Sequence, residues 1–317
     1  MATDRLDFRT IRRRFRTPLR TGAGVVETVD RILLRGTRTD GRVGYGEVAP
    51  WPGFATESAE AALQVLRGCE GDLSQLRAAT RSRPLPCLSA ALSMIDQWES
   101  IAGFAGELTC AGLLPAGATP EDATRRANEG FTTLKLKIDD ATSHESIRAI
   151  LASTPDNIAL RLDANASLTL VPAREWVELA RSEPRIKFIE QPLPDGHAGY
   201  VSLGPDKIAL DESFVQPGGT DRWEGLIVAK PSLAGNWSAF LDWSRTRTSR
   251  LVVSSCFETA IGRQAGLWLA NQVGSARAVG FDTLGWFEAD GRDRHAPGPR
   301  ARGLGNVNWD AYWEEVA

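Results

Sequence analysis

From residue 109 onward the chain alternates short apolar runs with amphipathic stretches, and this alternation narrows the possible folds more than any other feature. The runs are TCAGLL (109–114), TTLKLKI (132–138), IALRLDA (158–164), IKFIE (186–190), KIALD (207–211), GLIVAK (225–230), LVVSS (251–255) and AVGFDT (278–283). Segments with apolar residues at helical spacing lie between most of them, at 119–128, 144–152, 170–180, 236–245 and 259–271. Strands that alternate with crossover helices make parallel sheets. Runs that are apolar nearly throughout, rather than at every second residue, belong to strands buried on both faces. Eight such units predict a closed (β/α) barrel, with an open doubly wound sheet as the competing arrangement.

The preceding region reads as α+β. The turn Thr39-Asp40-Gly41 between RILLR (31–35) and VGYGEV (43–48) predicts a hairpin, and helical patterns follow at 57–67 and 86–100. With 317 residues against roughly 100–200 per domain, the chain divides into an α+β capping domain over 1–104, a barrel over 105–285 and a C-terminal segment over 286–317 that returns to the cap.

Several function classes are excluded by composition. A net charge of -3 leaves no basic surplus for a phosphate backbone. The Arg-rich run 9–20 is interrupted by apolar residues and Pro18, so nucleic acid is not expected as a partner. No stretch reaches the roughly 20 apolar residues of a membrane span. Four isolated cysteines and an N-terminal segment without an apolar core predict a cytoplasmic protein. GRVGYG (41–46) does not open a helix in a βαβ unit and is not a dinucleotide site. The three histidines, His144, His197 and His295, stand in no metal-ligand or triad spacing. Carboxylates and amines must therefore carry any chemistry.

These groups sit where a barrel would use them, at the C-terminal strand ends. The second run ends in Lys135-Leu136-Lys137, the third in Asp163-Ala164-Asn165, the fourth in Glu190-Gln191-Pro192, the fifth in Asp211-Glu212-Ser213, the sixth in Lys230-Pro231 and the seventh in Ser254-Ser255 with Glu258 beyond. Strand alternation sends Lys135 and Lys137 to one face. Their mutual repulsion, with partial desolvation, should depress a lysine pKa towards the range of a base. Three carboxylates on consecutive strands, Asp163, Glu190 and Asp211, call for a cation, and an all-oxygen set suits Mg²⁺ or Mn²⁺. Asn165 shares the face of Asp163 and is a candidate for the metal shell or substrate, or simply begins a turn. Ser254, Ser255 and Glu258 are candidates to bond a substrate carboxylate or Lys137, with helix capping as the competing role, and Glu212 reads as a cap. Tyr45-Gly46-Glu47 and the segment 18–24 acquire a role only if the first domain closes over the mouth of the barrel.

The ordered set K-x-K, D-x-N, E-Q-P, D-E-S and a lysine after the sixth strand, behind an α+β domain, resembles the enolase superfamily over essentially the whole chain. Lysines on the second and sixth strands are those of its muconate-lactonizing subgroup. Within that subgroup the compact length, SSCFETAIG (254–262) and GLG (303–305) look most like the o-succinylbenzoate synthases of menaquinone and phylloquinone synthesis. The resemblance implies a modified TIM barrel acting on a small carboxylate substrate. It makes Asp163, Glu190 and Asp211 the Mg²⁺ ligands, Lys137 the general base, Lys135 its pKa-lowering neighbour and Lys230 the cation opposite an enediolate. The implied reaction is syn-dehydration of 2-succinyl-6-hydroxy-2,4-cyclohexadiene-1-carboxylate to 2-succinylbenzoate, a hydro-lyase step.

Three neighbouring activities are to be weighed against it. Dipeptide epimerases carry Asp-x-Asp at the eighth strand, whereas this chain has Gly280-Phe281-Asp282-Thr283-Leu284. N-acylamino acid racemases share both lysines but usually have longer barrel loops. A barrel kept only for binding would have lost a lysine or a carboxylate, and all are present. Subgroups with a histidine base are excluded by Ser254-Ser255-Cys256 at the seventh strand end. Nothing in these motifs distinguishes a monomer from a homo-oligomer.

Overall fold

The computed structural model describes residues 4–22, 24–139, 141–214, 222–305 and 307–316. The N-terminal region pairs three antiparallel strands, β1 (Arg5–Thr21), β2 (Gly24–Thr37) and β3 (Val43–Val48), and covers them with α1 (Ala59–Gly68), α2 (Leu73–Ser82) and α3 (Pro86–Ala102). The hairpin between β2 and β3 is as expected. The Arg-rich run is strand β1, paired with β2 from Arg5↔Thr37 to Arg14↔Thr28. Its alternation hides in plain sight: Ile11, Arg13 and Phe15 are buried, while Arg12 and Arg14 face solvent and pair with Asp30 and Glu288.

Helix α3 lies against β3 with almost no side chain between them. A Cβ on Gly44 or Gly46 would stand 2.3 Å from the carbonyl oxygen of Ile95 or Ala91. The two glycines share a strand face and the two carbonyls a helix face, so the period of 2 meets the period of 3.6 along one seam. Because backbone rather than a flexible side chain would have to move, Gly46→Ala is expected to lower the unfolding free energy by about 1–3 kcal/mol, read as a lower urea midpoint. An unchanged midpoint would mean that the seam is loose.

The second unit opens with β4 (Glu107–Thr109), followed by β5 (Gly112–Leu114), α4 (Pro120–Asn128), β6 (Thr133–Lys137), α5 (His144–Ser153), β7 (Ala159–Asp163), α6 (Leu170–Ser182), β8 (Ile186–Glu190), α7 (Gly199–Leu203), β9 (Ile208–Leu210), β10 (Leu226–Ala229), α8 (Trp237–Ser244), β11 (Leu251–Val253) and α9 (Ala260–Val273). Strands β5 to β11 form one parallel sheet in chain order. The sheet curls until its two ends are bridged by Val279, paired with Cys110, and Gly280, paired with Ser254. The eighth run thus supplies a two-residue closure rather than a full strand, and it does so with a glycine because a Cβ on Gly280 would meet Ser254 Oγ at 2.4 Å.

After this closure, β12 (Arg300–Arg302) pairs with β4, and α10 (Trp309–Glu315) follows. Phe287 bridges to Phe15, and Tyr45 Oη donates to Asp310 at 2.5 Å. Among the described residues no helix is long and apolar enough to cross a membrane.

Candidate active site

Strand alternation builds the site directly. Phe188, Ala209, Val228 and Val252 form a buried apolar cluster inside the barrel. Two residues further along the same four strands stand Glu190, Asp211, Lys230 and Ser254, which by the period of two face the same interior one layer higher. On β6 and β7 the lower layer is Lys135 and Arg161, and the upper layer is Lys137 and Asp163, in register at Lys137↔Asp163 and Asp163↔Glu190. Above this layer lies a cavity of about 920 Å³, walled by the strand ends and roofed by residues 16–22 and 51–54 of the N-terminal region. That region therefore does reach over the barrel mouth: a Cβ on Gly22 would stand 2.3 Å from the Asn165 carbonyl oxygen.

Charges of the two layers are tightly interlocked. Lys135 Nζ lies 2.8 Å from Asp163 Oδ2 and 2.6 Å from Glu190 Oε1. Burial alone would lower its pKa, but these carboxylates outweigh burial and raise it. Lys230 donates to Asp211 and stands 4.5 Å from the Phe54 ring centre. Its pKa is raised as well, with Asp211 and Glu190 overriding desolvation. Lys137 behaves differently. Among the described residues its ammonium donates only to the Arg20 carbonyl, and burial first, then Lys135, pull its pKa below the ordinary lysine range. The expected depression thus falls on Lys137, with burial as its leading cause rather than repulsion.

Among the carboxylates, burial would raise Asp163, but Lys135 and the Asn165 amide hold it below its usual value. Burial, Asp163 and Asp211 push Glu190 up to about 8. Asp211 is raised by burial and by Glu212. Glu212 itself is pushed to about 7 by burial and Asp163; it lines the cavity, and among the described residues its buried Oε2 has no hydrogen-bond partner.

Asn165 donates from its backbone N (3.1 Å) and Nδ2 (2.9 Å) to Asp163 Oδ1. It does so from a left-handed turn, φ 44° with Ala166 at 58°, a conformation that Asn tolerates better than most residues. Ser254 Oγ donates to the Gly280 carbonyl at 3.2 Å. Ser255 donates to Glu258, whose other oxygen accepts from Ser232 at 2.8 Å. Ser254 and Ser255 line the cavity, but the Glu258 carboxylate is consumed behind the wall and reaches neither the cavity nor Lys137.

Two site residues escaped the sequence reading. Gln191 Oε1 accepts from the Asp211 and Ser213 amides at 2.9 and 3.1 Å, and its Nε2 donates to Tyr200 and Ser213, locking the turn that carries Asp211. Arg161 fills the barrel beneath Asp163, where burial pulls its pKa to about 10 and its Nε has no partner among the described residues. The signal for Arg161 was available, since it stands two residues before Asp163 on a strand. Asp282, at the rim, accepts from the Leu113 amide at 2.8 Å and from Arg126, so its charge is already matched.

Among the described residues no three acidic, histidine or cysteine side chains are gathered closely enough to ligate one ion. Lys135 stands between Asp163 and Glu190, and Lys230 occupies Asp211. The donor set nevertheless fits a hard divalent cation. It is all oxygen, Glu212 Oε2 is without a partner among the described residues, and Glu190 and Asp211 are both raised, which signals too little positive charge for the buried carboxylates.

Comparison with known proteins places this geometry. Residues 118–224 match the family described as Enolase C-terminal domain-like. The chain is 32% identical over 292 residues to the o-succinylbenzoate synthase of Thermosynechococcus vestitus, covering 86% of this chain and 90% of that one. It superimposes with a TM-score of 0.81 on an o-succinylbenzoate synthase structure from Thermosynechococcus elongatus with Mg in its active site, at 28% identity, over 98% of this chain and 99% of the other. It also shares its fold with the L-Ala-D/L-Glu epimerase of Bacillus subtilis, with a TM-score of 0.75, 23% identity and coverage of 96% and 98%. The chain belongs to the enolase superfamily, in its muconate-lactonizing subgroup, and among these relatives it matches the o-succinylbenzoate synthases in both sequence and fold.

Proposed function

We propose that this protein is an o-succinylbenzoate synthase, dehydrating 2-succinyl-6-hydroxy-2,4-cyclohexadiene-1-carboxylate to 2-succinylbenzoate on the route to menaquinone or phylloquinone. The observation that carries the reading is the pair of unlike lysines. Lys137, at the end of β6, has a depressed pKa, and Lys230, four strands round the barrel after β10, has a raised one. One is suited to accept a proton and the other to remain a cation across the cavity.

In this reading neutral Lys137 takes the proton α to the ring carboxylate, and the C–H electron pair moves into the carboxylate as an enediolate. Lys230 faces that developing charge. The ammonium of Lys137 then gives its proton to the departing hydroxyl, the C–O bond breaks, and water leaves as the ring becomes aromatic. Removal and return of the proton by one lysine requires both groups on the same face of the ring, hence a syn elimination. Asp163, Glu190 and Asp211 would hold a divalent cation, Mg²⁺ or Mn²⁺, which when bound supplies Lewis-acid stabilisation of the substrate carboxylate. Lys135 keeps its positive charge between Asp163 and Glu190 and so helps to keep Lys137 neutral.

Asp282 supports this choice over a dipeptide epimerase, because its carboxylate is already held by Arg126 and the Leu113 amide. The deciding measurement is turnover of the cyclohexadiene carboxylate with Mg²⁺, followed by ultraviolet absorbance, beside dipeptides and N-acylamino acids. The synthase reaction is expected to have the highest kcat/KM. Faster turnover of either alternative class would overturn the assignment.

A further inference from the structure

The wall of the cavity formed by Ser254, Ser255, Cys256 and Phe257 is held from behind by the N-terminal region, through backbone atoms. Arg31 of β2, fully buried, donates from Nη2 to the Cys256 carbonyl at 2.5 Å and from Nε to the Phe257 carbonyl at 3.4 Å. Arg13 of β1 donates from Nη1 to the Glu258 carbonyl at 3.2 Å. Glu47 of β3, also fully buried, accepts from the Thr259 amide at 3.0 Å, from Thr259 Oγ1 at 2.6 Å and from the Gly262 amide at 3.0 Å. Three neighbouring strands thus grip four consecutive backbone groups, the carbonyls of 256, 257 and 258 and the amide of 259.

Both ends of this grip are built for the purpose. Glu47 sits at the N-terminus of α9, where free amides and the helix dipole favour a carboxylate. Arg31 also lies 3.8 Å from Glu47, so neither charge is left alone in the interior. Arg13 is anchored in turn by Asp290 at 2.7 Å and Asp293 at 3.1 Å. The segment being held is strained, for Phe257 has φ 62°, a left-handed conformation that a bulky residue adopts only when its surroundings impose it. The grip also extends to Lys230: Glu258 joins Ser255 to Ser232, two residues beyond that lysine.

We infer that Arg13, Arg31 and Glu47 are positioning residues, by which the N-terminal strands set the conformation of residues 256–259 and so the substrate-binding wall of the barrel. The wall is a substrate surface only on the proposed reading of the cavity, so the test has one arm that needs no substrate. By hydrogen exchange and mass spectrometry, the amides of 255–262 in the unmodified protein are expected to be protected like those of the barrel strands, although most of the segment is loop. Exchange as fast as that of exposed loops would refute the grip without any variant.

In Arg31→Lys and Glu47→Gln, the same amides are expected to exchange roughly tenfold faster while β6 and β7 are unchanged. In the second arm, KM for the cyclohexadiene carboxylate is expected to rise about tenfold with kcat changed by less than about threefold. A merely structural contact would instead lower apparent kcat with the folded fraction and leave KM alone, and that result would overturn the inference. Should the unmodified protein not turn over this substrate, the functional reading fails and the exchange arm still decides the grip.

Discussion

Lys137→Ala is expected to lower kcat by about 10²–10⁴-fold, with the far-ultraviolet circular dichroism spectrum and thermal midpoint little changed. The side chain contributes little to folding, since among the described residues its ammonium donates only to the Arg20 carbonyl and it lies at the cavity surface rather than in the apolar core. Its contribution is to chemistry, because no other amine in the cavity is poised to be neutral. Lys135 and Lys230 are both bound to carboxylates that hold them protonated. The pH profile carries the sign of this assignment. A base with a depressed pKa is inactive while protonated, so kcat should rise with pH through the pKa of Lys137. Lys135→Met should move that limb to higher pH, since it removes a repelling charge and releases Asp163 to favour the protonated amine. Wild-type turnover in Lys137→Ala, or a limb that ignores Lys135, would remove Lys137 from the mechanism.

The parts of the site that could be read from the chain are those in which one strand carries both the structural and the chemical signal. Glu190 and Asp163 end strands in which all but one of the earlier residues are apolar, and Lys135 and Lys137 differ by the period of a strand. Asp211 and Lys230 follow their strands by one residue. None of this needs knowledge of a distant partner. The α+β character of the first hundred residues followed from one turn, Thr39-Asp40-Gly41, and two helical patterns.

What was not legible depends on contacts between residues far apart in the chain. Arg13 and Arg31 lie in a charge-rich segment, and their complete burial is explained by partners far along the chain, the carbonyls at 256–258 together with Asp290 and Asp293 for Arg13. Glu258 stands at the right place in the chain to face substrate, yet Ser232 captures it from another strand end. The short closure of the barrel, two residues where the run 278–283 predicts a full strand, has a related cause. Val279 and Gly280 need only two pairings because Phe281 turns into the core and Asp282 is drawn to Arg126. Gln191 organises the Asp211 turn, yet an amide side chain carries no charge pattern that would mark it in the sequence.

Removal of divalent metal by EDTA is expected to abolish turnover, and Mg²⁺ at about 100 times its Kd is expected to restore it and raise the thermal midpoint by roughly 4 °C. The physical basis is a charge imbalance across the two layers. Lys135 and Lys230 face Asp163, Glu190, Asp211 and Glu212, and three of these four carboxyls are raised above their usual range. Without a cation, a carboxyl with a raised folded pKa loses stability as pH climbs, because the unfolded chain releases its proton first. For Glu190, that loss spans its ordinary value of 4.5 to about 8. Glu190→Gln removes the penalty together with a candidate metal ligand. The metal-free variant should therefore gain stability over metal-free wild type as pH rises through that window, while its Mg²⁺-induced shift and its turnover disappear. Two opposed effects from one substitution separate a metal ligand from a structural carboxylate. If Glu190→Gln kept the full Mg²⁺ shift, the cation would have to bind elsewhere and the three-carboxylate site would be wrong.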